Sequence, residues 1–286
     1  MDQAEKLRNE VKLRRKTTRT KVLTVTSGKG GVGKSNLAVN LAVWFTKLGK
    51  KVIIFDADFG LANVEVMFGT VPKNDLSDMI YKGMDIRDII TNGPMDIGFI
   101  SGGSGIIALN NLTAAQVDLV VDDLESLNDL CDILIVDTGA GISDNVLKFV
   151  LASPDVLLVT TPEPSSLTDS YSLVKAMVRN EKFDSENVQI RMIANKVQSE
   201  AEARQVFEKI YSVTNKFLDE RISYAGMVCL DQSLEKAVRK QKIVSIENPT
   251  SKSAKCFYDI ASYLLGEKQK DDSGLHKFFR FLTHNQ

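Results

Sequence analysis

Two lysines and a serine lie among glycines near the start of the chain, in a spacing that suits phosphate chemistry. Residues 27–36 read Ser-Gly-Lys-Gly-Gly-Val-Gly-Lys-Ser-Asn, and residues 28–35 match the phosphate-binding loop (P-loop) pattern. We predict that Lys34 contacts the β- and γ-phosphates of a nucleotide and that the Ser35 hydroxyl binds Mg²⁺, which prefers oxygen ligands. The alternative is a glycine-rich turn with two solvated lysines. The loop residues predicted to bind the nucleotide are Gly30, Gly31, Val32, Gly33, Lys34, Ser35 and Asn36.

Three aspartates stand at the ends of two apolar runs that we predict to be buried strands. Asp56 and Asp58 follow one run, and Asp137 ends the other, just before a glycine turn. In an open parallel sheet the ligand binds beyond the carboxyl ends of the strands. We therefore predict that Asp137 holds the water shell of Mg²⁺ and that Gly139 offers its N–H to the γ-phosphate. Asp56 and Asp58 can face the metal or a water that attacks phosphorus. The alternative for Asp137 is a cap of the next helix, and the alternative for Asp56 and Asp58 is an Asp-rich turn at 56–63.

Apolar runs alternate with helical patterns between these residues and beyond them. The runs lack in–out polarity, which predicts an α/β fold with a doubly wound, mostly parallel sheet covered by helices on both faces. The predicted strands are 21–26, 51–56, 97–101, 132–137, 155–161, 188–195 and 222–229. The predicted helices are 37–48, 75–82, 85–91, 113–128, 143–152, 166–180, 199–218, 231–241 and 250–265.

Composition restricts the class of protein. Hydrophobic residues make up 43% and charged residues 26% of the chain, as in a soluble globular protein. No apolar run approaches the roughly 18 residues that span a bilayer, and the N-terminus is not signal-like. We expect a cytoplasmic protein, and a net charge of −1 gives no general attraction to nucleic acid. Cys131, Cys229 and Cys256 are far apart in the sequence and suit packing roles in a reducing compartment.

Both ends of the chain differ from the predicted body, residues 21–266. Residues 1–20 form a basic arm with a narrow apolar stripe, which we expect to order only against a partner. Residues 267–273 are a polar linker, and residues 274–286 predict an amphipathic helix at a membrane surface, or one that folds back onto the body. The apolar residues of this tail are Leu275, Phe278, Phe279, Phe281 and Leu282.

Lys29 is one lysine more than an ordinary P-loop needs. With Lys29 the loop resembles that of the deviant-P-loop ATPases, a group that includes the division-site ATPase MinD and the partition ATPase ParA. The resemblance implies Mg²⁺-dependent hydrolysis of ATP by a homodimer, in which Lys29 crosses to the phosphates of the partner subunit. The alternative for Lys29 is a solvated loop lysine.

The same resemblance implies roles at other strand ends. Asp58 would orient the attacking water, and with Lys29 and Lys34 it completes the predicted catalytic set, while Asp56 would lie near the metal. Asn195 would read the adenine edge, since its amide both donates and accepts. Asp231 matches a position near the base, although the proline that usually precedes it is absent here.

Three features narrow the resemblance to the flagellar-number regulators FlhG, also called YlxH. These are Asn36, the run 56–69, and residues 2–8, which match the N-terminal Asp-Gln-Ala-x-x-Leu-Arg motif of that family. In that family the N-terminal segment stimulates the GTPase FlhF. The resemblance implies that Gln3 orients a water, Leu7 packs into a groove and Arg8 bonds phosphate or an acidic group. The alternatives are a basic solvated arm and an arm that binds RNA or DNA, although it lacks aromatic residues for base stacking.

The resemblance also implies further partners and a place in the cell. It implies contacts with flagellar switch (C-ring) proteins and a flagellar transcription regulator, and reversible association with the cytoplasmic membrane. A MinD-type division-site regulator is one alternative, and it would lack the motif at residues 2–8. A ParA-type DNA partition ATPase is another, and the near-neutral charge and the apolar tail count against it.

Overall fold

The computed structural model describes residues 20–58, 63–103 and 126–266. The strands of these segments, numbered in chain order, are β1 Lys21–Ser27, β2 Val52–Ala57, β3 Thr91–Asn92, β4 Gly98–Ile100, β5 Ile133–Ala140, β6 Asp155–Thr160, β7 Gln189–Val197 and β8 Ser223–Cys229. The α-helices are α1 Lys34–Lys47, α2 Asn63–Phe68, α3 Leu76–Lys82, α4 Ile86–Ile89, α5 Asp144–Ala152, α6 Pro164–Val178, α7 Glu200–Leu218, α8 Gln232–Arg239, α9 Val244–Glu247 and α10 Lys252–Gly266.

The eight strands form one sheet in the order β3-β4-β2-β5-β1-β6-β7-β8. All neighbours are parallel except β3, which pairs antiparallel with β4 at one edge. β5 and β6 are consecutive in the chain but lie on either side of β1. This is a topological switch point, where an open α/β sheet binds its ligand beyond the carboxyl ends of the strands.

Alternate residues of the strands enter opposite layers of the core. Leu23 and Val25 of β1 pack with α1 and α10 on one face, whereas Val22 packs on the other face with α3 and α4. The second face continues under α5, α6 and α7. Because both faces are covered, the central strands are buried along most of their length. None of the helices in the described segments is long and apolar enough to span a membrane.

Both ends of the described body leave the same side of the molecule. The ammonium of Lys21, the first residue of β1, donates to the carbonyl of Leu264 in the last turn of α10 at 2.7 Å. Lys21 also pairs with Asp155 at the first residue of β6, at 3.7 Å. The body therefore begins and ends at the amino edge of the sheet, opposite the carboxyl edge where β1 enters the glycine loop.

The predicted mostly parallel α/β sheet is confirmed, and the differences concern short elements. The six-residue helix α2, the two-residue strand β3 and the four-residue helix α9 were not predicted, because such short elements depend on tertiary contacts. The predicted helix 113–128 lies outside the described residues except for its end, where Ser126–Asp129 forms a 3₁₀ turn. The predictions for residues 1–19 and 267–286 concern parts of the chain outside the described residues.

Candidate active site

The glycine loop connects β1 to α1 and is shaped by two left-handed glycines. Gly31 has φ 75° and Gly33, the residue before α1, has φ 101°. Glycine adopts these angles without the steric penalty of a Cβ atom. At the start of the loop, a Cβ on Gly28 would overlap the backbone carbonyl of Asp169 in α6. The loop therefore lies directly against α6, and its first glycine is required by that contact.

Lys34 is a buried cation at the first turn of α1, with only 8% of its surface exposed. Burial lowers the pKa of its ammonium, and the nearby carboxylates of Asp137 and Asp58 oppose that shift. The side chain is thus held among acidic groups before any phosphate binds. Such a preorganised cation needs little rearrangement to receive the negative oxygens of a nucleotide.

Asp137 and Asp56 lie side by side at the carboxyl ends of β5 and β2, where the strand register pairs them directly. Burial, and after it the neighbouring Asp137 carboxylate, raise the pKa of Asp56 to about 8. Burial likewise raises the pKa of Asp137 to about 7, which Ser35 and Lys34 oppose. Two carboxylates this close cannot both hold a charge without a compensating cation.

The two aspartates differ in their hydrogen bonds. Asp56 accepts from the backbone N–H of Val64 at 3.1 Å and of Asp58 at 3.2 Å, so it also fixes the loop that follows β2. Asp137 is fully buried, and within the described segments neither of its carboxylate oxygens has a hydrogen-bond donor. A buried acceptor pair without donors is unfavourable unless a cation or water satisfies it.

These residues fit a magnesium ion. The Ser35 hydroxyl faces Asp137 closely enough to lower the pKa of that carboxyl, although the two side chains do not form a hydrogen bond of regular geometry. No group of three or more His, Cys, Asp or Glu side chains in the described part of the chain could hold a metal ion. Mg²⁺ takes one or two protein oxygens and completes its shell with waters and substrate phosphates, and the Asp137 carboxylate and the Ser35 hydroxyl can supply such oxygens.

Asp58 is half-buried just beyond β2 and faces the same space. Its Oδ2 accepts from the side-chain amide of Asn63 at 3.2 Å, and a Cβ on Gly139 would come within 3.3 Å of its Oδ1. Burial raises the pKa of Asp58, and Lys34 opposes that shift. The structure thus brings Asp58, Gly139 and Lys34 together. Asn63 was not singled out, although it lies within the acidic run that follows β2.

Lys29 reaches across the loop to the start of α6 in its own chain. Its ammonium donates to the Glu163 carboxylate and to the Ser165 hydroxyl, each at 2.8 Å. The hydrogen bond from Lys29 holds the pKa of Glu163 below its usual range. Glu163 and Ser165 are therefore site residues that the sequence reading missed, since they lie more than a hundred positions from Lys29.

A cavity of about 430 Å³ opens beside the loop, between the ends of β7 and β8 and helix α8. Its lining residues are Gly31, Gly33, Asn36, Asn195, Lys196, Cys229, Leu230, Asp231, Leu234, Glu235, Val238 and Arg239. The cavity is large enough for part of a nucleotide. One wall is the loop itself, so a ligand that fills the cavity meets the phosphate-binding backbone.

Asn195 and Asp231 line this cavity, but both already make hydrogen bonds within the chain. The Asn195 amide donates to the carbonyl of Val32 at 2.6 Å. Asp231 is the N-cap of α8, where one oxygen accepts from Ser233 N–H at 2.8 Å, and the other accepts from the N–H and hydroxyl of Ser253. Adenine contacts by Asn195 and Asp231 therefore stay predictions, and the structure adds an N-cap role for Asp231.

The fold and the site define a P-loop NTPase. A family model, ParA, described as NUBPL iron-transfer P-loop NTPase, matches residues 18–265. The antiactivator FleN of Pseudomonas aeruginosa is 40% identical over 240 residues, which cover 84% of this chain and 84% of that protein. The flagellum site-determining protein YlxH of Helicobacter pylori is 34% identical over 270 residues, covering 92% and 90% respectively.

A solved structure has the same fold. The septum site-determining protein MinD complexed with Mg-ADP from Pyrococcus horikoshii OT3 matches with a TM-score of 0.69 and 21% identity, over 86% of this chain and 96% of that one. The chain belongs to the ParA family of P-loop NTPases. The resemblance to the MinD/ParA group, with YlxH among the relatives, is thereby confirmed.

Proposed function

We propose that the protein is a Mg²⁺-dependent ATPase switch that dimerises with ATP, associates reversibly with the cytoplasmic membrane and regulates flagellar number and placement. The observation that carries the ATPase part is the set formed by buried Lys34, buried Asp137 and half-buried Asp58 at the carboxyl edge of the sheet. The flagellar part is supported by two relatives, which are named an antiactivator FleN and a flagellum site-determining protein.

In the proposed reaction, the loop N–H groups and Lys34 bind the β- and γ-phosphates of ATP. When bound, Mg²⁺ would neutralise the negative charge that develops on the phosphate oxygens during hydrolysis. Ser35 and Asp137 would hold that ion, and the charge of the ion stabilises the ionised carboxylate that burial alone disfavours. Gly139, next to Asp58, donates its backbone N–H to the γ-phosphate.

Asp58 has the role of positioning the water that attacks phosphorus. Its second oxygen is held by Asn63, so the carboxylate keeps one orientation, and its raised pKa makes it a better proton acceptor than a solvated aspartate.

Lys29 makes hydrolysis depend on the dimer. In the single chain its ammonium pairs with Glu163 and Ser165, in a contact that is exposed to solvent. An exposed ion pair is a weak interaction, because water screens it. The triphosphate of a partner subunit carries more negative charge than one carboxylate, so it draws Lys29 away from Glu163 and completes the site across the interface.

The ends of the chain connect this switch to its partners. The described body begins and ends at its amino edge, where Lys21 and Leu264 are in contact, while the proposed ATP site lies at the carboxyl edge. Through Gln3, Leu7 and Arg8 the arm stimulates the GTPase FlhF. The tail places its apolar residues in the membrane surface, and C-ring proteins and a flagellar transcription regulator are the other proposed partners.

Flagellar counts in the organism that carries this gene test the function. Deletion should change the number or placement of flagella, the wild-type gene should restore them, and the Lys34→Ala gene should not. A deletion strain with normal flagella but misplaced septa would instead support a division-site regulator. For the arm, a peptide of residues 1–20 should raise the GTPase rate of FlhF, whereas the Gln3→Ala or Arg8→Ala peptide should not.

A further inference from the structure

The pairing of β7 with β8 is irregular at two places, and one of them is Lys196. Asn195 pairs with Val228 and Val197 pairs with Cys229, so Lys196 is an extra residue in β7. Such a bulge changes the direction of the side chains around it. Lys196 has φ 58°, a left-handed conformation that a lysine rarely adopts. A residue held in this conformation indicates that the surrounding structure imposes it.

The bulge allows two consecutive side chains to reach the same loop. In a regular strand, neighbouring side chains point to opposite faces of the sheet. Here the Lys196 ammonium donates to the carbonyl of Gly31 at 2.9 Å, and the Asn195 amide donates to the carbonyl of Val32 at 2.6 Å. Two successive carbonyls of the P-loop are therefore bound from β7, across more than 160 positions of sequence.

Binding these carbonyls fixes the direction of two N–H groups. A trans peptide is planar, with its C=O and N–H pointing in opposite directions, and the described residues contain no cis peptide. The Gly31 carbonyl shares its peptide with the N–H of Val32, and the Val32 carbonyl shares its peptide with the N–H of Gly33. Both N–H groups therefore point away from β7. The left-handed angles of Gly31 and Gly33 complete an anion-binding arrangement of backbone N–H groups.

We propose that Lys196 is a positioning residue that, with Asn195, holds the P-loop carbonyls outward and so presents the N–H groups of Val32 and Gly33 to a nucleotide phosphate. The proposal rests on the proposed ATPase function and adds a residue to its machinery. Lys196 acts through the loop backbone, so replacing it should change the affinity for the phosphates of the ligand and not the affinity for the base.

Charge alone is the competing explanation for this lysine. Glu163 lies near both Lys29 and Lys196, and each ammonium lowers the pKa of that carboxyl, Lys29 most strongly. A lysine that contributed only positive potential would work equally well without the hydrogen bond to Gly31. The bulge and the left-handed backbone favour the specific contact, because a solvated lysine needs neither of them.

The test compares four variants of the full chain: Lys196→Met, Lys196→Asn, Lys196→Arg and, as a matched charge control, Lys209→Met on the exposed side of α7. Lys196→Met should weaken ADP binding by about three- to tenfold, the range that one hydrogen bond contributes. Adenosine, measured by its displacement of a fluorescent ADP analogue, should bind as tightly as to the wild type. Lys209→Met should behave as wild type.

The other two variants distinguish the contribution of the Lys196 ammonium from that of the left-handed backbone conformation. Asparagine tolerates the left-handed conformation but lacks the ammonium, so Lys196→Asn should lose as much ADP affinity as Lys196→Met, while Lys196→Arg should keep most of it. Without nucleotide, hydrogen–deuterium exchange of a peptide covering residues 27–37 should be faster in Lys196→Met, because the loop is freed.

Three results would overturn the proposal. These are unchanged ADP affinity and exchange in Lys196→Met, an equal loss for adenosine and ADP, or full ADP affinity in Lys196→Asn. Wild-type protein that does not bind ADP would refute the proposed ATPase function instead, so the two failures are distinguishable.

Discussion

Replacing Asp58 by alanine removes the carboxylate that we assign to the attacking water while leaving the phosphate contacts in place. Asp58 is half-buried, is held by Asn63 at 3.2 Å and lies next to Gly139 and near Lys34. A positioned proton acceptor contributes about 10²–10⁴-fold to a rate. We therefore expect kcat to fall by at least about 100-fold, with ATP affinity within a few-fold of wild type.

The assay is steady-state release of phosphate, with ATP affinity measured separately by equilibrium binding. Asp58→Asn keeps the shape of the side chain and should fail almost as completely, because an amide cannot accept the proton. Asp88→Ala, at an exposed aspartate of α4, is the matched control and should leave kcat unchanged. Turnover of the Asp58→Ala protein within about threefold of wild type would remove Asp58 from the mechanism.

The role assigned to Asp58 also predicts how kcat depends on pH. Burial raises the pKa of Asp58 above the usual range of an aspartate, and Lys34 only partly opposes the shift. The base form of Asp58 is lost as the pH falls through that raised pKa, so kcat should decline on the acidic side earlier than it would for a solvated carboxylate. An acidic limb at the pKa of an ordinary aspartate would contradict the assignment.

Three further predictions concern stability and the membrane. Gly28→Ala should destabilise the nucleotide-free protein by about 1–3 kcal/mol in urea unfolding, because its Cβ would overlap a backbone carbonyl of α6, whereas Gly30→Ala has open space and should change little. Without ligands, the thermal midpoint of unfolding should fall as pH rises from about 4 to about 8. Asp137 has a pKa of about 7 in the folded state, so the folded state keeps a proton that the unfolded state has already released. Asp137→Asn should flatten this slope. A midpoint that rises with pH over this range in the wild type would contradict that account. Phe278→Glu combined with Phe279→Glu should abolish ATP-dependent sedimentation with liposomes while ATP-driven dimerisation persists. Each tail binds the membrane weakly alone, and two tails act together only on the dimer. Equal sedimentation of the wild type with ADP and ATP would make the tail a constant anchor.

The parts of the site that could be predicted are those encoded locally. A strand, a glycine loop and a helix follow one another directly around Lys34, and Asp56 and Asp137 stand at the ends of apolar runs. The parallel register that sets these two aspartates side by side follows from the general geometry of such sheets. Local pattern and global fold agree at these positions, so the sequence alone was enough to predict that they lie together at one edge of the sheet.

The parts that could not be predicted depend on contacts between distant segments. Lys29 meets Glu163, and Lys196 meets Gly31, through the way α6 and β7 pack against the loop. The sulfurs of Cys229 and Cys256 lie 3.7 Å apart although 27 positions separate them, so their distance in sequence was misleading. No periodicity or spacing in the sequence encodes such pairs. Each partner is a residue type that its own helix, strand or loop would accept without the contact, so nothing in the local sequence marks it.

The N-cap at Asp231 is a structural role that the resemblance did not imply. Asp231 begins the predicted helix 231–241, and aspartate is a preferred residue at an N-cap. The resemblance suggested a base contact, and in the structure both carboxylate oxygens already accept hydrogen bonds within the chain. A base contact would require one of these bonds to be exchanged or shared.

Oligomeric state in the presence of MgATP tests the central claim most directly. Asp58→Ala binds ATP without consuming it, so light scattering after size-exclusion chromatography should give twice the mass of the 31.6 kDa chain with MgATP and the monomer mass with MgADP. The double variant Lys29→Ala, Asp58→Ala should bind ATP equally well and stay monomeric. A dimer of the double variant, or a monomer of Asp58→Ala at saturating MgATP, would contradict the account of a switch completed by Lys29 across two subunits.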